Sequence, residues 1–223
     1  MDTLNSTWCE HCEDYVFTVS HPWLDVQYDY KTKIWVVYDL ETKLHSERDL
    51  KIKVNELRKQ GRLGELGISC VAIWGSDTME TDIYGENDLE EAIKRLEDAD
   101  CVVDYNGIRF DRRVLEAVLG RETHFKRYTD LLRLIWNQMD RQRIPKGGSS
   151  LDAVSQATLG KGKTGKGGDA PTLYKNGDLS TLYRYCMNDV RLTKELFLFI
   201  KEHGFVRNGK SYKIDVEAPK WLT

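Results

Sequence analysis

The run Ile34-Trp35-Val36-Val37-Tyr38, which ends directly on Asp39-Leu40-Glu41, constrains the fold more than any other stretch of the chain. Its residues are nearly all apolar and β-favouring, without polar alternation, which describes a central strand buried on both faces. Asp39 and Glu41 stand two apart at the strand's end, so their side chains leave the same face. Buried together without a cation they would repel, and one would keep its proton. A shared divalent ion removes that cost. Taken alone, Asp-x-Glu is a common tripeptide that also opens solvated turns.

The remaining pattern alternates strands and helices. Residues 68–74 and 81–84 read as strands on either side of a turn through Gly75-Ser76-Asp77. Residues 88–97 have helical spacing behind Asn87 or Asp88 as a cap. Cys101-Val102-Val103 returns to a strand that leads into a loop at Asn106. Helices are expected over 111–119, closed by Gly120, over 128–140 with an apolar face, over 151–159, and over 179–203, stopped by Gly204. Asn208-Gly209 between Val206 and Tyr212-Lys213-Ile214 predicts a hairpin. This order predicts a mixed α/β domain with a central sheet flanked by helices over 34–203. Residues 1–33, with a strand near 25–30, form an N-terminal extension, and 204–223 a C-terminal hairpin and tail. Residues 43–66 are charged, contain Gly61 and Gly64, and read as an excursion with a short helix at 54–60.

Two further acids sit where such a layout could gather them. Asp111 follows a strand and a loop and opens a helix, where the helix dipole alone also favours an acid. Asp189 lies four residues after Tyr185 on the long helix, so the two share a face. Each is ordinary by itself; four acids and a phenol in this order are not.

The segments Val37-Tyr38-Asp39-Leu40-Glu41-Thr42, Tyr105-Asn106-Gly107-Ile108-Arg109-Phe110-Asp111 and Tyr185-Cys186-Met187-Asn188-Asp189-Val190 resemble the three motifs of the 3′–5′ exonucleases of the RNase H-like superfamily. The likeness is to the proofreading domains of family B polymerases, the class defined by four acids and a tyrosine (DEDDy). The sister class has histidine five residues before the final aspartate, where this chain has Arg184. Ser150-Leu151-Asp152-Ala153-Val154, followed by Leu159-Gly160, resembles the segment ahead of the third motif. The resemblance spans about residues 34–203 and leaves the 43–66 excursion outside the minimal pattern.

That resemblance implies a metal-dependent phosphodiester hydrolase that trims single-stranded nucleic acid from its 3′ end and releases nucleoside 5′-monophosphates, with DNA favoured over RNA. It implies that Asp39 bridges two Mg²⁺ ions, Glu41 and Asp189 complete the first, and Asp111 holds the second. Mn²⁺ is expected to substitute, since both suit hard oxygen ligands. Tyr185 would aim the attacking water. Leu40 and Phe110 would pack on the terminal bases, and Thr42 and Asn106 would contact the terminal nucleotide. Six Lys/Arg between 140 and 168, among them Lys161 and Lys163, form a candidate track for the phosphate backbone. A nuclease-like module that binds nucleic acid or a partner without cutting is the alternative.

Other signals point elsewhere with less support. Residues 157–164, Ala-Thr-Leu-Gly-Lys-Gly-Lys-Thr, fit a relaxed nucleotide-binding loop, but such a loop should follow a strand and open a helix. Cys9-Glu10-His11-Cys12 supplies half of a zinc site and the chain has no second Cys-x-x-C pair, so the reading is a polar extension without zinc. Trp8, Trp23 and Trp221, in the terminal extensions, are candidates for a protein interface. A net charge of −3 does not advertise a nucleic-acid binder; bound cations would restore positive charge locally. No run reaches 18 apolar residues and the N-terminus lacks a signal-peptide layout, so an intracellular protein, cytoplasmic or nucleoid-associated, is expected, with no membrane partner and its five cysteines reduced.

Overall fold

The computed structural model describes residues 33–165, 168–217 and 219, together with two short N-terminal strands. The chain forms two units, 1–33 and 34–223. In the first, β1 (Ser6–Cys9) pairs antiparallel with β2 (Asp14–Phe17). The strand expected at 25–30 falls outside the described residues, as does Cys12 of the zinc reading.

The second unit runs β3 (Trp35–Thr42), α1 (Ser46–Asp49), α2 (Val54–Lys59), a 3-10 turn at Leu63–Leu66, β4 (Ile68–Gly75), β5 (Thr81–Gly85), α3 (Leu89–Asp98) and β6 (Cys101–Asp104). It continues through α4 (Asp111–Leu119), β7 (Tyr128–Asp130), α5 (Leu131–Arg141), α6 (Leu151–Leu159), α7 (Ala170–Lys175), α8 (Leu179–His203) and the hairpin β8 (Phe205–Arg207) with β9 (Lys213–Asp215). Five strands form one mixed sheet in the order β5-β4-β3-β6-β7. β3 is antiparallel to β4 and parallel to β6. The expected layered α/β architecture is what the chain adopts.

β3 lies at the centre and is covered on both sides. Trp35 and Val37 join one core with Leu192, Leu196 and Phe197 of α8. Val36, Tyr38 and Leu40 alternate into a second core with Leu57 of α2, Ile93 and Leu96 of α3, and Val114 and Leu115 of α4. The period of two therefore assigns each residue of the strand to one helical layer. Trp35 packs against Trp74 at 4.8 Å and Phe197 at 5.1 Å between ring centroids, which seats α8 over the middle of the sheet.

The structure departs from the sequence pattern in two places that matter. Residues 128–140 read as one helix, but Tyr128–Asp130 is a strand parallel to β6 and the helix starts at Leu131. The break occurs because Asp130 adopts extended backbone and its carboxylate accepts from Arg133 N at 3.1 Å, an N-cap that starts the helix there. Ala170–Lys175 forms α7, for which the sequence pattern gave no expectation; Pro171 stands in its first turn, where its missing N–H costs nothing. No helix among the described residues is long and apolar enough to cross a membrane.

Truncation of Phe197 to Ala removes the side chain that locks α8 on Trp35 and should lower stability by about 3–5 kcal/mol, measured by urea unfolding.

Candidate active site

Asp39 and Glu41 continue the line of Trp35 and Val37 on the α8 side of β3. The pairing of β3 with β4 shifts register between Glu41 and Thr42, so the strand's regular course ends just past the two acids. α8 lies across this end. Tyr185 and Asp189 stand one turn apart on its inner face, and Cys186 between them sets its sulfur 3.4 Å from the carbonyl of Asp39. Carboxylate oxygens of Asp39, Glu41 and Asp189 all come within 4.8 Å of one another.

Asp111 comes in from the other edge of β3; it lies outside that 4.8 Å group but acts electrostatically on Asp39 and Glu41. The parallel pairing of β3 with β6 is registered only as far as Val37 and Val103, which leaves the strand's later backbone open on that side. The chain leaves β6, loops through 105–110 and starts α4 at Asp111. Asp111 is buried there, and its own N–H and that of Leu40, the amide between the two β3 acids, favour the charged form of its carboxylate against the cost of burial.

Two acids not anticipated from sequence shape that loop. Asp130 accepts from Asn106 N at 2.9 Å and Ile108 N at 3.1 Å while capping α5. Asp104, fully buried, accepts from Gly107 N at 3.2 Å and from the hydroxyl of Tyr128. Asn106 takes the left-handed conformation at φ 77°, and a β-carbon on Gly107 would overlap the Asp104 carboxylate. The turn is thus pinned at successive amides, and Asp111 has one place to land.

The electrostatics follow from this crowding. Burial, then Asp189, Asp111 and Glu41, hold the Asp39 carboxyl well above its ordinary range. Burial and then Asp189 do the same for Glu41. Burial raises Asp111 to about 7 and outweighs the charge of Lys163 at Asp189. Lys163 is the counter-charge: its ammonium donates to Asp189 Oδ2 and lowers the pKa of Asp39, Glu41 and Asp111 as well. Burial alone would depress this ammonium, and Asp189 and Asp39 more than restore it. Lys163 is held there by its own N–H, which donates to Asp152 Oδ1 at 2.8 Å.

Four carboxylates share this one ammonium, and Asp189 Oδ1 is buried without a hydrogen-bond partner. All-oxygen donors, an orphan carboxylate oxygen and surplus negative charge fit a hard divalent cation. The Tyr185 hydroxyl is likewise buried and unpartnered, beside the acids, and burial raises its pKa against the opposing charge of Lys163.

The other candidate residues divide. Leu40 is buried in the second core and serves Asp111 through its amide. Thr42 is buried and its hydroxyl donates to Leu44 O at 3.0 Å. Asn106 and Phe110 line a cavity against the loop that leads into Asp111. Lys161 pairs with Glu195 at 3.0 Å, while Lys163 turns into the acid cluster, since buried carboxylates attract the nearest cation that can reach them. Lys166, in the same basic stretch, lies outside the described residues. Residues 157–164 follow the helix α6 and no helix opens until Ala170, so the strand-loop-helix arrangement of a nucleotide-binding loop is not formed.

Two outcomes follow. Asp130→Ala leaves two loop amides and the α5 cap unpartnered and should lower stability by about 2–3 kcal/mol, read by urea unfolding. Asp111, held at about 7 in the fold against about 3.9 unfolded, retains its proton more strongly when folded. Its contribution is therefore complete at low pH and declines as pH climbs towards about 7. In EDTA, Asp111→Asn should gain in Tm relative to wild type as pH rises across that window, and the margin should level off above it.

Residues 38–200 match the family model of the RNase H superfamily. Among solved structures, the family B DNA polymerase from the hyperthermophilic archaeon Pyrobaculum calidifontis has a similar fold, with a TM-score of 0.54 and 18% sequence identity. The alignment covers 76% of this chain and 24% of the polymerase chain, so this protein corresponds to about a quarter of that enzyme's length. No curated protein sequence matches the chain. The mixed sheet, the layers that cover both faces of β3 and the match across most of its length make this chain a member of the RNase H superfamily.

Proposed function

We propose that the protein is a metal-dependent 3′–5′ exonuclease that shortens single-stranded nucleic acid and releases nucleoside 5′-monophosphates. The observation that supports this best is the meeting of Asp39, Glu41 and Asp189 within 4.8 Å, with buried Asp111 near enough to raise the pKa of both Asp39 and Glu41. Asp39 and Glu41 leave one face of a strand and Asp189 faces them from α8, so three sides of an oxygen cup come from three rigid elements. Asp39, Glu41 and Asp189 would hold one Mg²⁺ and Asp39 with Asp111 a second; Mn²⁺ would substitute. Such a pair supplies a nucleophile at neutral pH and charge for the departing 3′-oxygen.

The protein's own groups do the aiming. Tyr185 keeps its proton at neutral pH because burial raises its pKa, so it acts as a donor that orients the attacking water rather than as a base. Among the described residues its hydroxyl has no hydrogen-bond partner, which leaves it to that water. Asn106 and Phe110, set by the pinned loop, would meet the terminal nucleotide, while Leu40 stays in the second core. Lys163 gives up Asp189 when cations enter and becomes available to a phosphate. The polymerase with a similar fold acts on DNA by its name, which favours DNA as the polymer here.

A second reading has one specific support. The Lys163–Asp189 ion pair could close the cup permanently and leave a module that binds a strand without cutting it.

A 5′-labelled single strand incubated with Mg²⁺ separates the two. The nuclease reading expects a ladder shortening from the 3′ end, abolished in Asp39→Ala and Asp189→Ala, and about 10²-fold slower in Tyr185→Phe. An intact strand with purified, folded protein, or equal laddering by wild type and both aspartate variants, contradicts it.

A further inference from the structure

Against the loop that leads into Asp111 lies a cavity of about 430 Å³, within the range of small-ligand sites. One wall is the loop that sets Asp111, through Asn106, Arg109 and Phe110; another is α5, through Trp136; and the far wall is α2, through Arg58. That far wall comes from the 43–66 excursion, which no part of the catalytic reading uses. Lys146 closes the rim.

The lining has the chemistry of a strand-binding groove. Arg109 lies against the Trp136 ring at 5.3 Å and Lys146 at 5.7 Å, an arrangement that puts cations beside an aromatic surface. The Trp136 Nε1 donor is buried without a partner. Among the described residues, the Arg58 guanidinium donates to the neutral Asn55 Oδ1 at 2.9 Å and pairs with no carboxylate. Lys146 is paired with Asp140 at 2.6 Å, but the cavity wall itself contains no carboxylate. Aromatic surface tolerates any base and cations track phosphates, which together suit a single strand without sequence preference.

We propose that this cavity binds the nucleotides immediately 5′ of the one being removed, with a base against Trp136 and the backbone phosphates between Arg109 and Arg58. The excursion at 43–66 is thereby the outer wall of a strand channel. The inference rests on the nucleic-acid reading of the acid cluster, and continuity supports it: Asn106 and Phe110 belong to both.

The test is binding of a fluorescent six-residue oligothymidylate in EDTA, where no cleavage occurs, measured by anisotropy across a salt series. Trp136→Ala should bind about tenfold more weakly with an unchanged salt slope, and Trp136→Phe should retain affinity, which separates stacking from a packing defect. Arg58→Ala should reduce the slope of log K against log salt by about 0.7. Lys126→Ala is the control, because Lys126 is not part of the cavity lining and its ammonium donates to Asp98 O at 2.7 Å; it should bind as wild type does. Unchanged binding in both Trp136→Ala and Arg58→Ala, or equal weakening in all three alanine variants, overturns the proposal. A protein that binds through these residues yet leaves the strand uncut with Mg²⁺ keeps this inference and sinks the nuclease reading.

Discussion

Mutual repulsion among four carboxylates, three buried and Asp39 half-buried, is the constraint around which this structure is organised. A protein gains nothing in stability from packing acids together out of water, so each must be held by something else. β3 is held by two separate cores, α8 by the stacking of Phe197 on Trp35, and Asp111 by a loop whose amides are taken by Asp104 and Asp130. Lys163 relieves part of the repulsion with a single charge. The remainder is an electrostatic demand for a cation, stored in the fold.

This arrangement sits at the carboxyl ends of the parallel pair β3 and β6, where β3 also has an antiparallel neighbour. Strands part there and loops converge, which is where open α/β sheets place their ligands. The rigid elements β3, α4 and α8 contribute the carboxylates, while the 161–165 loop brings the Lys163 ammonium to them.

Much of this was legible in the sequence, for identifiable reasons. Asp39 and Glu41 could be read because an uninterrupted apolar strand announces its faces, and Tyr185 with Asp189 because a four-residue spacing on a long helix fixes a shared side. The supports were not legible. Asp104 and Asp130 look like any acids near a strand end or a helix start, and their work is to accept amides from a loop distant in sequence. β7 is three residues long and merges in pattern with α5, so only the cap at Asp130 separates them. The destination of Lys163 is set by a tertiary field, to which a glycine-rich loop without periodicity gives no clue. Arg58 and Trp136 line one cavity although the excursion and α5 lie far apart in sequence, a meeting that no local pattern announces.

The central claim is that the carboxylate group is a cation site with Lys163 as its placeholder. Anomalous diffraction from crystals grown with Mn²⁺ tests it most directly. The account predicts manganese among Asp39, Glu41, Asp111 and Asp189, with the Lys163 ammonium withdrawn from Asp189. A cluster free of manganese at saturating concentration, with Lys163 still seated on Asp189, would contradict it.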